Sequence, residues 1–346
     1  MTPRATLVLI IGANLPDIDA VAALFGPDSS LLFRRGWTHG VMALAVLPWL
    51  LAEAVLWHGR RYPGSAAAGP ADRWRLVALA YLAVISHPLL DWLNTYGVRL
   101  LMPFDGRWFY GDVLRVVDPW MWLLAGASSV LAHSHSRRSR VGWSTIASLT
   151  TALVWLVPGV PLWACGLWTG GVLALALAVS RSRRPQQVAV TVVARAGLTT
   201  LVLYLIVMVV ASGLAASQAK RWWRSQGTRV ERVVANPYAA NPFRHRVIGV
   251  SDGAYHFVDT EWITGAAPFT TSPPLPHETV SAAIHAARSA QSVKGFVGWT
   301  RLPSYEVRAT PEGYRVIMRD LRYSGVGDAG FGIASVHLDR QLRVLD

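Results

Sequence analysis

Apolar runs of bilayer length recur along this chain, and they constrain its fold more than any single motif does. Runs at 39–57, 74–94, 161–179 and 196–216 carry few charges, and roughly 20 apolar residues suffice for a helix to cross the hydrocarbon core of a membrane. Shorter runs at 5–15, 119–132 and 141–157 bring the expected total to about seven spans, so the fold class is a polytopic α-helical membrane domain. Hydrophobic residues make up 52% of the chain and charged ones only 15%, which excludes an ordinary soluble enzyme.

The formal charge of +13 sits in short basic clusters between the runs, as in loops facing a cytoplasm and its anionic lipid, so the expected partner is a lipid bilayer and not nucleic acid. Sixteen tryptophans, among them Trp57, Trp74, Trp92, Trp120 and Trp143 near span ends, fit interfacial belts. The single cysteine, Cys165, excludes an intramolecular disulfide. The N-terminus lacks the short apolar region and small-residue cleavage site of a removable signal peptide.

Arginines at 4, 60, 61, 73, 75, 137, 138, 140, 181, 183 and 184 outnumber those at 34, 35, 99, 107 and 115, which favours a cytoplasmic N-terminus. A C-terminal region beyond the last span then lies in the periplasm or outside the cell.

From about residue 217 the composition becomes that of a soluble domain. Strands are predicted at 229–235, 246–250, 255–259, 305–309, 314–320 and 333–338 and a helix at 276–292, giving a small soluble α+β domain. The chain thus divides at 1–132, 133–216 and 217–346 into a metal-site helical region, further transmembrane helices and the C-terminal domain. Its histidines, His245, His256, His277, His285 and His337, are dispersed without ligand spacing and read as structural or surface residues.

Three polar clusters interrupt the first runs. His87 and Asp91, four residues apart at the end of the 74–94 run, leave one face of a helix together. Asp17 and Asp19 follow Pro16, and because residues two apart do not share a face of a regular helix, both turn inward only if the helix breaks or ends there. Thr38 caps the next helix and places His39 in its first turn.

Taken singly, each cluster has a plain reading: a turn or cap for the aspartates, a structural residue for His39, a buried hydrogen bond for His87/Asp91, and a helix cap for Asp118. If the chain crosses at each run, all four fall on one side of the membrane. Ionisable groups at membrane depth are costly and tend to be functional.

Carboxylates with imidazoles form a mixed oxygen and nitrogen set suited to a divalent metal, zinc in first place, with manganese or iron as alternatives, and five ligands have room for two ions. Such ions lower the pKa of a bound water and neutralise charge on an ester or phosphoryl oxygen, so hydrolysis is the natural reaction class. Arg35 is a candidate anion clamp, and Thr38, Thr95, Asp112 and Asp118 are candidates for the surrounding shell. The Gly-x-Ser-x-Gly at 249–253 and the Gly-x-Gly-x-x-Gly at 325–330 each join two predicted strands, without the helix that a nucleophile elbow or nucleotide-binding loop opens, so neither competes.

Leu15-Pro16-Asp17-Ile18-Asp19, Arg35-Gly36-Trp37-Thr38-His39, His87-Pro88-Leu89-Leu90-Asp91, Thr95-Tyr96-Gly97 and Pro103-Phe104, in that order, resemble the YdjM family, the LexA-binding membrane-associated hydrolases of the bacterial inner membrane. The resemblance covers roughly residues 5–120. It implies a multi-pass inner-membrane protein, metal-dependent hydrolysis, and metal ligation by Asp17, Asp19, His39, His87 and Asp91. The His-x-x-x-Asp element is also similar to one in zinc-dependent phospholipase C, which points to phosphoesters by analogy.

Family members commonly begin with an Asp-x-x-Thr-His stretch on an extra N-terminal helix. It has no counterpart here, which implies either an upstream start or a missing ligand.

Two readings result. The first is a membrane metallohydrolase acting on an ester or phosphoester of an amphiphilic or lipid substrate. The second is a non-catalytic membrane protein whose C-terminal domain binds a protein partner, with the polar clusters only joining helices.

Overall fold

A computed structural model describes residues 4–61, 70–157, 160–181, 187–262, 269–276, 281–323 and 330–345. The chain forms two compact units, Met1–Gly111 with His277–Asp346, and Asp112–Pro276. The linear division at 132 and 216 follows the chain, whereas the compact units interleave.

The first unit begins with α1 (Ala5–Asn14), a 3-10 helix (Pro16–Phe25), α2 (Pro27–Phe33), α3 (Val41–Arg61) and α4 (Pro70–Leu93). Val8 of α1, Leu51, Ala52 and Val55 of α3, and Leu76, Ala80 and Val84 of α4 form one buried cluster. On α4 this stripe steps by four residues, and His87 and Asp91 extend it by three and then four, so the polar pair continues the face that packs against α1 and α3. The opposite faces carry exposed apolar side chains such as Ile10, Leu50 and Leu82, as a lipid-facing surface requires. Gly12 lets α1 approach α4 closely, because a Cβ there would lie 2.8 Å from that of Ala83.

The same unit contains α9 (Ala282–Arg288), α10 (Lys294–Trp299) and an antiparallel sheet in the order β5 (Pro303–Thr310), β6 (Gly313–Asp320), β7 (Ile333–Asp339). Ala283, Ile284 and Ala287 of α9 pack with Val316 and Met318 of β6, with Val336 and Leu338 of β7, and with Tyr96 from the turn after α4. That turn is tied to the C-terminal segment by backbone acceptors. The Arg322 guanidinium donates to the Thr95 carbonyl at 2.7 Å, and the Trp299 indole donates to that of Tyr96 at 3.2 Å. Arg322 is buried against Asp320, with Nη2 at 2.7 Å and Nε at 2.9 Å from the carboxylate. Gly97, expected just past the helix end, lies four residues beyond Leu93, and its φ of 87° is one that glycine adopts freely.

The second unit comprises α5 (Pro119–His133), α6 (Arg137–Leu156), α7 (Leu162–Arg181), α8 (Gln187–Ser225) and an antiparallel sheet in the order β1 (Arg232–Tyr238), β2 (Asn241–Ser251), β3 (Ala254–Glu261), β4 (Phe269–Pro276). With 39 residues α8 is roughly 58 Å long, about twice the hydrocarbon thickness. Its final turns form the sheet's core, with Ala215, Ala219 and Trp223 packed on Val230, Val247 and Val258. Asp118 caps α5 as expected, accepting from the Trp120 amide at 3.0 Å, and its other oxygen accepts from the Tyr204 hydroxyl at 2.6 Å. Cys165 is buried beside Val154 and Trp168.

The expectation of about seven spans is corrected. Among the described residues, four helices are long and apolar enough to cross a membrane: Val41–Arg61, Asp72–Leu93, Leu162–Arg181 and Val190–Ser225. The pair Ala5–Asn14 and Pro16–Phe25, bent by 42°, makes a fifth if it counts as one broken span. At 119–132 the helix is only 15 residues long, and at 141–157 it opens with Arg137, Arg138 and Arg140 and is rich in serine and threonine.

Strands follow the last long helix as predicted, and they pair antiparallel in two sheets. β4 was not expected, because Pro273, Pro274 and Pro276 argue against a strand; it is tolerated at the sheet edge, where one side needs no ladder hydrogen bonds. Residues 62–69, Pro158, Gly159, Arg183, Arg184 and His277 lie outside the described residues.

Replacing Arg322 by Met leaves Asp320 buried without its main counter-charge, and removing one partner of a buried pair costs about 3–5 kcal/mol. Thermal unfolding in detergent should therefore shift well downward for Arg322→Met, and adding Asp320→Asn should recover part of the loss.

Candidate metal centre

The bend between α1 and the 3-10 helix solves the spacing problem of Asp17 and Asp19. In an α-helix they would point about 160° apart, whereas the tighter 3-10 turn brings them to about 120°. Pro16 at the start of the 3-10 segment favours the change. His39 is delivered by the loop 34–40, which is fixed to a second loop by hydrogen bonds from the Arg99 amide to the Arg35 carbonyl and from the Val41 amide to the Leu100 carbonyl, both 2.8 Å. His87 and Asp91 come from the last turns of α4, where Pro88 removes one helical hydrogen bond.

These side chains converge. His39 Nε2 lies 3.3 Å from Asp91 Oδ2, and His87 Nε2 lies 3.6 Å from both Asp91 Oδ2 and Asp17 Oδ2. One ligand atom from each of Asp17, His39 and His87 falls within 4.8 Å of the others. The two imidazole centroids are 5.4 Å apart.

Each group is held from behind. His39 Nδ1 faces Asp19 Oδ2 at 3.2 Å, and the same oxygen accepts from the Thr38 hydroxyl and the Arg35 amide, both at 2.8 Å. His87 Nδ1 lies 2.7 Å from the Ala13 carbonyl, a contact that the close approach at Gly12 permits. Asp17 Oδ1 accepts from Arg34 Nη2 at 3.2 Å, and Asp91 Oδ1 from Arg35 Nη2 at 2.8 Å. With both Nδ1 atoms donating outward, both Nε2 lone pairs face inward toward carboxylate oxygens.

Those inward atoms need a positive charge between them. His39 Nε2 and Asp91 Oδ2 are buried and have no hydrogen-bond partner. Tetrahedral zinc with nitrogen and oxygen ligands at about 2.0–2.2 Å has ligand-to-ligand edges of about 3.3–3.6 Å, and three separations here, His39–Asp91, His87–Asp91 and His87–Asp17, fall in that range. Asp17, His39, His87 and Asp91 therefore fit a divalent cation, and Asp19 sits behind His39, where it orients the ring.

His39 lies outside the candidate spans. Burial opposes its charge, but the contact with Asp19 and the negative charges of Asp19 and Asp91 outweigh it and raise its pKa above 6.5.

The structure gives Arg35 a positioning role. Besides Asp91, its guanidinium reaches Asn94 Oδ1 at 3.0 Å and the Gly97 carbonyl at 3.4 Å, lies 4.5 Å from the centre of the Tyr96 ring, and is buried. Asn94, which also accepts from the Tyr96 and Gly97 amides, was missed in the sequence, as was Arg99, which donates to the Leu32 and Arg34 carbonyls. Asn94 is three residues past Asp91, next to a turn, which is the one local signal that it supports the site.

Of the proposed surrounding residues, Thr38 is in place. Thr95 instead meets the Tyr323 hydroxyl at 2.9 Å, and Asp112 and Asp118 belong to the other compact unit. His245 is buried in that unit, where desolvation pushes it down to about 4, and the Ser212 hydroxyl lies 3.3 Å away.

Residues 2–164 match the YdjM inner membrane protein family. The YdjM match holds every residue of the convergent cluster, so the motif resemblance is confirmed for this part of the chain. Over 350 residues, 99% of this chain and 84% of its relative, the chain is 22% identical to the uncharacterized protein YfhP of Bacillus subtilis (strain 168). No solved structure matches it at a significant level.

Since the His39 pKa is raised in the folded state, its contribution to stability is fully present below 6.5 and is lost as pH rises through the folded value. With a chelator present, unfolding temperature should fall as pH is raised above 6.5, and His39→Gln should flatten that slope.

Proposed function

We propose that this protein is a membrane metallohydrolase that holds one divalent cation, zinc in first place, with Asp17, His39, His87 and Asp91, and cleaves an ester or phosphoester of an amphiphilic substrate. The carrying observation is the convergence of four donor groups, each fixed from behind, with three of their separations at the edge length of a tetrahedral ion. A bound cation supplies Lewis acidity and activation of water.

The chain's own residues do the positioning. Asp19 and Thr38 set the His39 tautomer, the Ala13 carbonyl sets that of His87, and Arg35, held by Asn94, orients Asp91. Arg34 holds Asp17.

The amphiphilic substrate is argued from the surroundings. Ile18 and Val21 beside Asp17, and Leu89 and Leu90 between His87 and Asp91, are exposed on elements that form or end candidate spans. The arginine distribution favours a cytoplasmic N-terminus, which puts the cluster on the periplasmic or outer side.

Purified full-length protein should carry about one zinc per chain, lost in His87→Ala and in Asp91→Ala. Asp19→Asn should weaken zinc about 10–100-fold while keeping the stoichiometry at saturation, as loss of a ligand's outer partner does. Chelator-sensitive release of product from phospholipid or phosphoester substrates, absent in His87→Ala, tests the reaction. Protein without bound metal, whose helices loosen on the same substitutions, would favour the non-catalytic reading.

A further inference from the structure

We infer that Arg34 is the anion-binding residue of this centre and that the substrate group it meets is a phosphate. The inference rests on the metal-centre reading above.

The centre is closed on one side and open on the other. His39 is fully buried and the Asp19 side chain is 7% exposed, whereas the Asp17 side chain is 41% exposed and that of His87 18%. Asp17 is therefore the rim of the cluster, and Arg34 is the cation on that rim, with Nη2 3.2 Å from Asp17 Oδ1.

Among the arginines next to the cluster, Arg34 is the one that sits on the exposed rim beside Asp17. The Arg35 side chain is 10% exposed and spends its donors on Asp91, Asn94 and the Gly97 carbonyl. Arg99 spends Nη2 on two backbone carbonyls and lies 4.9 Å from the centre of the Trp108 ring. The Arg34 side chain is 32% exposed, its ion pair uses only Nη2, and its Nε is buried without a partner. Nη1 and the second N–H of Nη2 remain for two oxygens of a tetrahedral anion, the end-on fork in which arginine binds phosphate.

Its position along the chain agrees. Arg34 lies between the candidate spans, and it follows the exposed Phe33. An amphiphile's phosphate at the membrane boundary, with its chains beside exposed apolar residues, satisfies both features.

The test uses full-length protein in detergent, loaded with zinc, and inorganic phosphate as probe. Wild type should bind phosphate, Arg34→Gln should bind it at least about tenfold more weakly, and Arg34→Lys should fall between, since lysine keeps the charge but not the fork. Zinc affinity should fall less than phosphate affinity in both variants, because Arg34 touches only the outer oxygen of Asp17 and that pair is partly exposed.

Phosphate affinity unchanged in Arg34→Gln, or zinc affinity falling as far as phosphate affinity, would overturn the assignment and leave Arg34 as a support for Asp17. Wild type that binds zinc but no phosphate also overturns it. Wild type that binds no zinc defeats the metal centre itself, and this inference with it. In nanodiscs, Arg34-dependent binding of phosphatidic acid that is tighter than that of inorganic phosphate identifies a lipid headgroup; equal affinities identify a free phosphate ester. Both outcomes support the anion site.

Discussion

Two carboxylates and two imidazole nitrogens face one another at the end of a bundle of membrane helices, an arrangement that a positive charge among them would hold. Most other features around the site serve to keep these four groups close despite their mutual repulsion. The close approach of α1 and α4 at Gly12 brings a backbone carbonyl to one imidazole, and the bend after Asn14 brings Asp19 to the other. Two consecutive arginines, Arg34 and Arg35, each neutralise one carboxylate from outside. Without them, partly buried acids at a membrane boundary would bear a large desolvation cost.

Support for the centre extends to the end of the chain. Asn94 holds Arg35, the turn containing Asn94 also contains Thr95 and Tyr96, and the carbonyls of those two residues are gripped by Arg322 and Trp299. Tyr96 stacks among Trp108, Trp299 and Phe331 while its face meets the Arg35 guanidinium. The three-stranded sheet is thus a rigid backing for the loop behind Asp91, within one compact unit. This explains how residues some 230 positions apart come to act on one side chain without any of them standing out in the sequence.

The second unit shows a different use of the same materials. Its long helix α8 leaves the apolar region and becomes the core of a four-stranded sheet, so span and sheet are parts of one continuous element. Asp118 and Tyr204 pair in its interior, and the acid serves as a helix cap. Asp118 is thus satisfied within its own unit, by the Trp120 amide and the Tyr204 hydroxyl.

The sequence by itself determined what depends on near neighbours. Bilayer-length runs make helices, a four-residue spacing puts His87 and Asp91 on one face, Asp before Pro caps α5, and alternating segments make strands. It also carried the convergence of Asp17, His39, His87 and Asp91, because all lie at one end of successive apolar runs. Tertiary structure decided the rest. An i, i+2 pair of aspartates reaches two different imidazoles, Asp17 at His87 and Asp19 at His39, only because of the particular bend at Pro16, so Asp19 became an orienting group. Which of two adjacent arginines is buried depends on Asn94 and Gly97, some 60 residues away, and no local pattern encodes that choice. Short apolar helices and a proline-rich edge strand likewise look alike or look wrong in one dimension, since burial and an unpaired sheet edge exist only once distant segments have met.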